Sequence, residues 1–299
     1  MIVIVSKGKR VFSTRRLCEA AAARGVATRV LSPYKCRMSL SGGNAELLRG
    51  LRPVKLPPGG AAVIPRIGAS VTDYGLALIN QFESAGFTVL NRAWAFYLAR
   101  NKMLSLQTLS RAGIHVPRTV MSRDREDLES MAEHVGGFPL VLKLTTGTQG
   151  VGVMIAESIE SMRSALDALW GLGQNILVQE YIKDSTVSDI RVVVVGGRAV
   201  AAYRRIAPTG EFRANMHRGA RGEKVVLGAE TVSMAVSSAA VLGLDVAGVD
   251  IMQAPDGPVV LEVNASPGLK GVEAVTGVDV ASSIIDLAIL KAGIGGSGT

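Results

Sequence analysis

The chain has 299 residues, of which 48% are apolar, 4% aromatic and 19% charged, with a net charge of +8. That apolar fraction excludes a disordered chain. The longest uncharged stretch, Thr231 to Leu244, is too short for a membrane helix of about 18 residues. Two cysteines, Cys18 and Cys36, exclude a disulfide framework or zinc cage and fit a reduced, cytoplasmic setting. No secretory signal is expected, because Met1 to Val5 is short and Lys7, Lys9 and Arg10 follow it. The length fits about two domains. The charge is unevenly placed, with net +11 on residues 1–100 and net −3 on residues 101–299.

Met1 to Val5 is a short apolar run that reads as a buried strand. Ser13 to Arg24 has helical periodicity, with Ser13 as its cap and Gly25 as its stop. Ala27 to Leu31 is a second strand, closed by Ser32-Pro33. A loop-rich stretch, Ser39 to Gly60, precedes a strand at Ala61 to Pro65, a helix at Asp73 to Ala85 and a strand at Thr88 to Leu90. This alternation predicts a small parallel sheet with helices on its faces, in a first domain of residues 1–95.

Trp94 to Ala112 reads as one long helix ended by Gly113. Ile114 to Val120 follows, then a charged helix from Arg125 to Val135. Two β runs, Phe138 to Leu144 and Val151 to Ala156, flank a Gly/Thr loop, and a helix at Ser158 to Trp170 leads to a strand at Asn175 to Ile182. One hairpin spans Asp189 to Ile206 and turns at Gly196-Gly197. A helix at Glu230 to Gly243 separates it from a second hairpin, Val249 to Val263, which turns near Pro255-Asp256-Gly257. A last helix covers Val280 to Ala292, and the small-residue tail after it is expected to fray. The chain is thus α/β, with an α+β C-terminal part that divides into residues 96–180 and 181–299.

Some motifs carry no chemistry. Gly293 to Gly298 matches a dinucleotide fingerprint but lacks a helix after it. His115, His134 and His217 have no metal ligand at suitable spacing. Lys143 to Val153 is more informative. Gly147, Gly150 and Gly152, with Thr145, Thr146 and Thr148, can supply backbone N–H groups and hydroxyls to a phosphate. Lys143 could reach the same phosphate as a point charge. The plain alternative is a glycine-rich hairpin with an edge lysine. Near the C-terminus, Glu262 and Asn264 are two apart on one strand and share a face, and Asp250 begins the same hairpin. Their oxygens suit a hard divalent cation, against the alternative of three solvated polar residues on a sheet. Glu180 and Tyr181 end a strand whose edge can read an adenine, and Asp189 can accept from ribose hydroxyls. Otherwise they are a plain strand with a charged end. Arg204, Arg205 and Arg213 are guanidiniums suited to anions or to solvation.

These segments together resemble the RimK branch of the ATP-grasp superfamily, the α-L-glutamate ligases. The resemblance is carried by Pro65-Arg-Ile-Gly68, Asn101-Lys102, Pro139 to Lys143, Gly147 to Gly152, Gln179 to Lys183, Asp189-Ile-Arg191, Phe212 to Asn215, Ala247 to Ile251 and Leu261 to Gly268, in order along the chain. It implies an ATP-grasp fold behind a Rossmann-like pre-ATP-grasp domain. It also implies that Lys102 and Lys143 bind ATP phosphates, and that Glu180 and Tyr181 hold adenine through their backbone. Asp189 would hold ribose, and Arg213, Ala214 and Asn215 would complete the nucleotide site. Asp250, Glu262 and Asn264 would bind two divalent cations, Mg²⁺ or Mn²⁺, with Glu262 shared. After His217-Arg-Gly219 the chain departs from the family's usual glycine, at the end that meets the acceptor.

The resemblance implies activation of a carboxylate as an acyl phosphate and attack by the amine of L-glutamate. Arg205 and Arg191 are the candidates for stabilising the tetrahedral oxyanion. The implied acceptor is an acidic C-terminus, either a small-subunit ribosomal protein or poly-α-glutamate. Alternatives are an amino-group carrier protein, a cofactor tail, and a basic ribosome- or RNA-binding module with an inactive nucleotide fold. Sparse aromatics disfavour direct nucleic-acid readout. A homo-oligomer is compatible with apolar helices such as 73–85. The basic first third, including Arg66 and Arg92, is expected to draw in the acidic acceptor.

Overall fold

A computed structural model describes residues 1–50, 52–56, 60–68, 72–145, 152–182, 187–208 and 219–294. The run Ile2–Val5 forms β1, buried throughout as a central parallel strand requires. Helix α1 (Phe12–Ala22) returns the chain to β2 (Thr28–Leu31). An antiparallel meander follows: β3 (Cys36–Ser41), β4 (Asn44–Arg49) and β5 (Arg52–Pro53). Strand β6 (Ala62–Pro65), α2 (Thr72–Ser84) and β7 (Thr88–Val89) complete a parallel sheet ordered β2-β1-β6-β7. Val3, Val5 and Val63 share a core with Leu78, Ile79 and Phe82 of α2. Ile2, Ile4, Ala62 and Ile64 share another with Leu17, Ala20 and Ala21 of α1.

Three expectations for this region are corrected. The stretch read as loop from Ser39 is a meander, because Cys36 and Leu47 face the core and Gly42-Gly43, with φ of 56° and 82°, make the hairpin turn. Ser13 does not cap α1, which starts behind Val11 with no side-chain cap. The predicted long helix is two, α3 (Ala93–Arg100) and α4 (Lys102–Arg111). Asn101 between them is extended, with ψ 104°, and its side chain accepts from the Leu104 N–H.

Strands β8 (Thr119–Val120), β9 (Leu140–Leu144), β10 (Val153–Ala156) and β11 (Ile176–Glu180) form an antiparallel sheet ordered β10-β9-β11-β8. Helices α5 (Leu128–His134) and α6 (Ile159–Gly171) cover one face, where Leu140, Leu142, Ile176 and Val178 meet Leu128, Met131, Leu166 and Trp170 in a separate core. The other face carries Val141, Lys143, Leu177 and Gln179.

The last sheet is ordered β14-β13-β12-β15-β16. Its strands are β12 (Ser188–Val195), β13 (Arg198–Ile206), β14 (Arg221–Lys224), β15 (Val246–Ala254) and β16 (Gly257–Asn264). Helix α7 (Ala229–Val241) covers one face, and α8 (Leu269–Thr276) and α9 (Val280–Lys291) cover part of the other. Helix α8 was not expected from sequence. Its cap comes from far along the chain, because the Ser13 hydroxyl accepts from the Leu269 N–H at 3.1 Å. Buried Asn91 ties β7's end to this sheet. It donates to the carbonyls of Val246 (2.6 Å) and Ala265 (2.8 Å) and accepts from the Val246 N–H (2.8 Å).

Candidate active site

The polar part of the large sheet's inner face is built by strand register. Asp189 lies opposite Arg205, Arg191 opposite Asp250, Asp250 opposite Glu262, and Gly248 opposite Asn264. Directly opposed residues share a face, so the six polar side chains are gathered on one surface. Further along, that face turns apolar at Val193 and Val195 and packs under α9. Arg205 grips Asp189 with two hydrogen bonds, of 2.5 and 2.6 Å, and its Nη2 lies 3.0 Å from an Asp250 oxygen. Arg191 grips the same Asp250 through Nε and through Nη2, the latter at 2.6 Å. Arg205 and Asp250 are each only 6% exposed.

Burial works against the charge of Asp250, but Arg191 and Arg205 outweigh it and hold the carboxyl below its usual range. Asp189 goes the other way. Burial and the neighbouring Asp250 charge raise it, against the pull of Arg205. Gly248 makes the Arg191 grip possible. A Cβ there would sit 2.8 Å from Pro267 Cβ and 3.2 Å from Arg191 Cδ.

The antiparallel sheet contributes Lys143. Its ammonium donates to Gln179 Oε1, Gln179 Nε2 donates to Thr119 Oγ1 at 2.8 Å, and the Thr119 hydroxyl donates to the Pro117 carbonyl at 2.8 Å. The hydroxyl has one hydrogen, so Thr119 accepts from Gln179 and the amide oxygen is turned to the lysine. Burial pushes Lys143 down to about 8. Glu262 pulls it back up, Lys102 pushes it further down, and Asp250 and Asp189 pull it up. Lys143 thus feels the charges of the opposite sheet.

Lys102 opens α4 because the chain breaks at Asn101. Its Nζ lies 4.0 Å from Glu262 Oε1, and its backbone N–H donates to the Thr145 carbonyl at 3.1 Å. Glu180 is partly committed. Its N–H donates to the Arg118 carbonyl at 3.0 Å, and its carboxylate accepts from Arg118 Nε at 2.5 Å. The sequence expectation for adenine therefore narrows to the Glu180 carbonyl and the Tyr181 amide. Gly152 has φ 76°, and a Cβ there would lie 2.4 Å from Leu144 Cδ1. Gly147, Gly150, Arg213, Ala214 and Asn215 lie outside the described residues.

Asp250, Glu262 and Asn264 meet the chemistry of a hard cation, with oxygen donors at neighbouring register positions on one face. Asp250 already holds two guanidiniums, so it would share an oxygen with a metal. Among the described residues, no cluster of three or more His, Cys, Asp and Glu is assembled to hold a metal. This set has two acids and an amide.

Gln179, Thr119, Gly248 and Asn91 were given no role from sequence. Alternation on the strand places Gln179 beside Lys143, but only the sheet order supplies Thr119. Arg66, expected to help draw in the acceptor, is half-buried beside the candidate site. Its Nη2 donates to the Pro267 carbonyl at 2.6 Å, and burial lowers it to about 10. Arg92 is exposed and lies 3.3 Å from Glu83.

Residues 1–96 match the RimK pre-ATP-grasp domain and residues 99–288 the RimK-like ATP-grasp domain. A probable alpha-L-glutamate ligase of Thioalkalivibrio sulfidiphilus (strain HL-EbGR7) is 47% identical over 285 residues, which cover 95% of this chain and 93% of that protein. Among solved structures, the ATP-grasp ligase PsnB complexed with a phosphomimetic variant of its minimal precursor, Mg and ADP has a TM-score of 0.75. It is 23% identical and covers 97% of this chain and 98% of its own. A RimK domain ATP-grasp protein from Sphaerobacter thermophilus DSM 20745 has a TM-score of 0.73 at 25% identity, covering 96% and 98%.

Proposed function

The chain belongs to the RimK-like ATP-grasp family and is an ATP-dependent ligase, and from that premise we propose that it joins L-glutamate, through its α-amine, to the C-terminal carboxylate of an acidic peptide or protein. A ribosomal protein tail and a growing poly-α-glutamate chain are the acceptors this reading favours. The observation that carries it is the charged face of Asp189, Arg191, Arg205, Asp250, Glu262 and Asn264 set against Lys102 and Lys143.

A carboxylate is a poor electrophile, so an acceptor carboxylate oxygen first attacks the γ-phosphorus of ATP. The bond to the bridging oxygen breaks and ADP leaves, with an acyl phosphate formed. The glutamate amine then attacks the acyl carbon, the C–O bond to phosphate breaks, and the amine loses its proton. Lys143 and Lys102 bind and orient the anionic phosphates, since positioning and charge dominate phosphoryl transfer. Asp250, Glu262 and Asn264 would hold Mg²⁺, which supplies charge neutralisation between the two anions. Arg205 and Arg191 are fixed in plane by their carboxylate grips, and either can face the tetrahedral oxyanion. Asp189 would accept from the ribose, and the Glu180 carbonyl and Tyr181 amide would read adenine.

The test is ADP release from ATP and Mg²⁺ with glutamate and a panel of acidic-tailed peptides. The reading expects ADP release that needs both substrates and disappears in Glu262→Ala. Full activity in that variant would remove the metal assignment. Absence of acceptor-dependent ADP across the panel would remove the acceptor class.

A further inference from the structure

We propose that the basic end of the β3–β5 meander, formed by Lys35, Arg49 and Arg52 with Arg29 beside them, is a docking surface for the acidic segment that leads into the acceptor's reacting carboxylate. The proposal rests on the ligase reading above and says which part of the N-terminal region meets the acceptor. Between Ser32 and Leu56 the sole acidic residue is Glu46. Arg49 lies directly opposite Arg52 and opposite Cys36, and like charges directly opposed on a ladder repel. Lys35, Arg49 and Arg52 are all exposed, and none pairs with a carboxylate among the described residues. Arg29 belongs to the same group. The thiol of Cys36 is pushed up by burial and drawn back by both Arg49 and Arg29.

This charge is also in a useful place. Strands β1, β2 and β6 are parallel, so their C-terminal ends share one edge of the sheet. The end of β6 leads to Arg66, which bonds the Pro267 carbonyl shortly after Asn264. The end of β2 leads through Pro33–Lys35 into β3. Helix α2 sets the meander's direction. Tyr74 in its first turn donates to the Cys36 carbonyl, and Gln81, two turns on, donates to the Glu46 carbonyl at 3.0 Å. The row Cys36, Arg49, Arg52 therefore lies at the edge facing the metal-site strand. The hairpin tip, Ser41 to Asn44, points away and carries no charge. A closely spaced run of guanidiniums at that edge fits a chain of carboxylates, and each glutamate added would strengthen the match.

The test uses the full-length enzyme and the double variant Arg49→Glu/Arg52→Glu, with a fluorescein-labelled peptide ending in a run of glutamates. Anisotropy reads binding without turnover, and ADP release reads KM and kcat. The expected result is at least about a tenfold loss of peptide affinity and a matching rise in its KM. KM for ATP, kcat and the melting temperature should be unchanged. A control peptide with glutamine at the upstream positions should be insensitive to the double change. Equal affinity of both proteins for the acidic peptide would overturn the proposal. Loss of RNA gel-shift binding with peptide affinity intact would also overturn it and assign the surface to nucleic acid. If wild type binds the peptide and the variant does not, yet neither releases ADP, docking stands and the ligase reading fails.

Discussion

On the five-stranded sheet, Arg191 and Arg205 are locked between Asp189 and Asp250, whereas on the antiparallel sheet across from it Lys143 is held by the neutral amide of Gln179. The first arrangement pairs each cation with a carboxylate, so its charges compensate one another and fix the geometry of β12, β13 and β15. The second orients an ammonium without neutralising it. The charge of Lys143 is sustained against burial and is available to an incoming anion. One sheet therefore holds its cations in fixed, charge-compensated positions, and the other leaves an oriented ammonium uncompensated by a direct carboxylate partner.

Asp250→Ala should break the compensated side most severely. It strands Arg191 and Arg205 without their shared carboxylate, and breaking a buried pair costs about 3–5 kcal/mol. Urea unfolding should show that loss together with abolished ADP release. A wild-type midpoint would mean that the network does not hold the fold. Lys143→Met should do the reverse, leaving stability at pH 7 equal or higher while weakening binding of a non-hydrolysable ATP analogue by roughly ten- to a hundredfold. Folding lowers Lys143 from 10.5 to about 8, so the unfolded chain binds its proton more tightly. Stability should therefore rise between pH 8 and 10.5 as the buried charge is lost, and that slope should vanish in Lys143→Met. ATP affinity of the wild type should fall across the same rise.

Gly248→Ala places a Cβ against Pro267 and Arg191 and should cost about 1–3 kcal/mol by overpacking. Thermal melting checks this, and an unchanged melting temperature would show that Arg191 has room to move. The smallest effect is expected at Gln179. Gln179→Leu should raise KM for ATP by roughly tenfold, the worth of one hydrogen bond of about 1 kcal/mol or slightly more. Gln179→Glu should also raise it, by pairing the ammonium, while the melting temperature holds or rises. An ATP KM unchanged in Gln179→Glu would show that neutrality at this position does not matter.

Much of this site was legible because its chemistry is written in short ordered segments. Lys143, Asp250, Glu262 and Asn264 stand out as polar residues within apolar strands. The pairings were not legible, because they depend on register. The ladder between β15 and β16 shifts between Asp250 and Ile251, and nothing local in the sequence announces that shift. The break at Asn101 was hidden by apolar periodicity that runs through it, although an asparagine before a helical turn is a usual cap. The meander was read as loop because its alternation is short and one face is exposed. The basic residues Arg37, Arg49 and Arg52 lie on these strands, while Arg66 also bonds the Pro267 carbonyl.

The most direct measurement is mass spectrometry of an acidic-tailed peptide incubated with enzyme, ATP, Mg²⁺ and glutamate, with ADP counted in the same tube. The account predicts peptide masses that increase by whole glutamyl residues, one for each ADP released. ADP released without any gain of mass by the peptide, or glutamyl peptide formed without ADP, would contradict it.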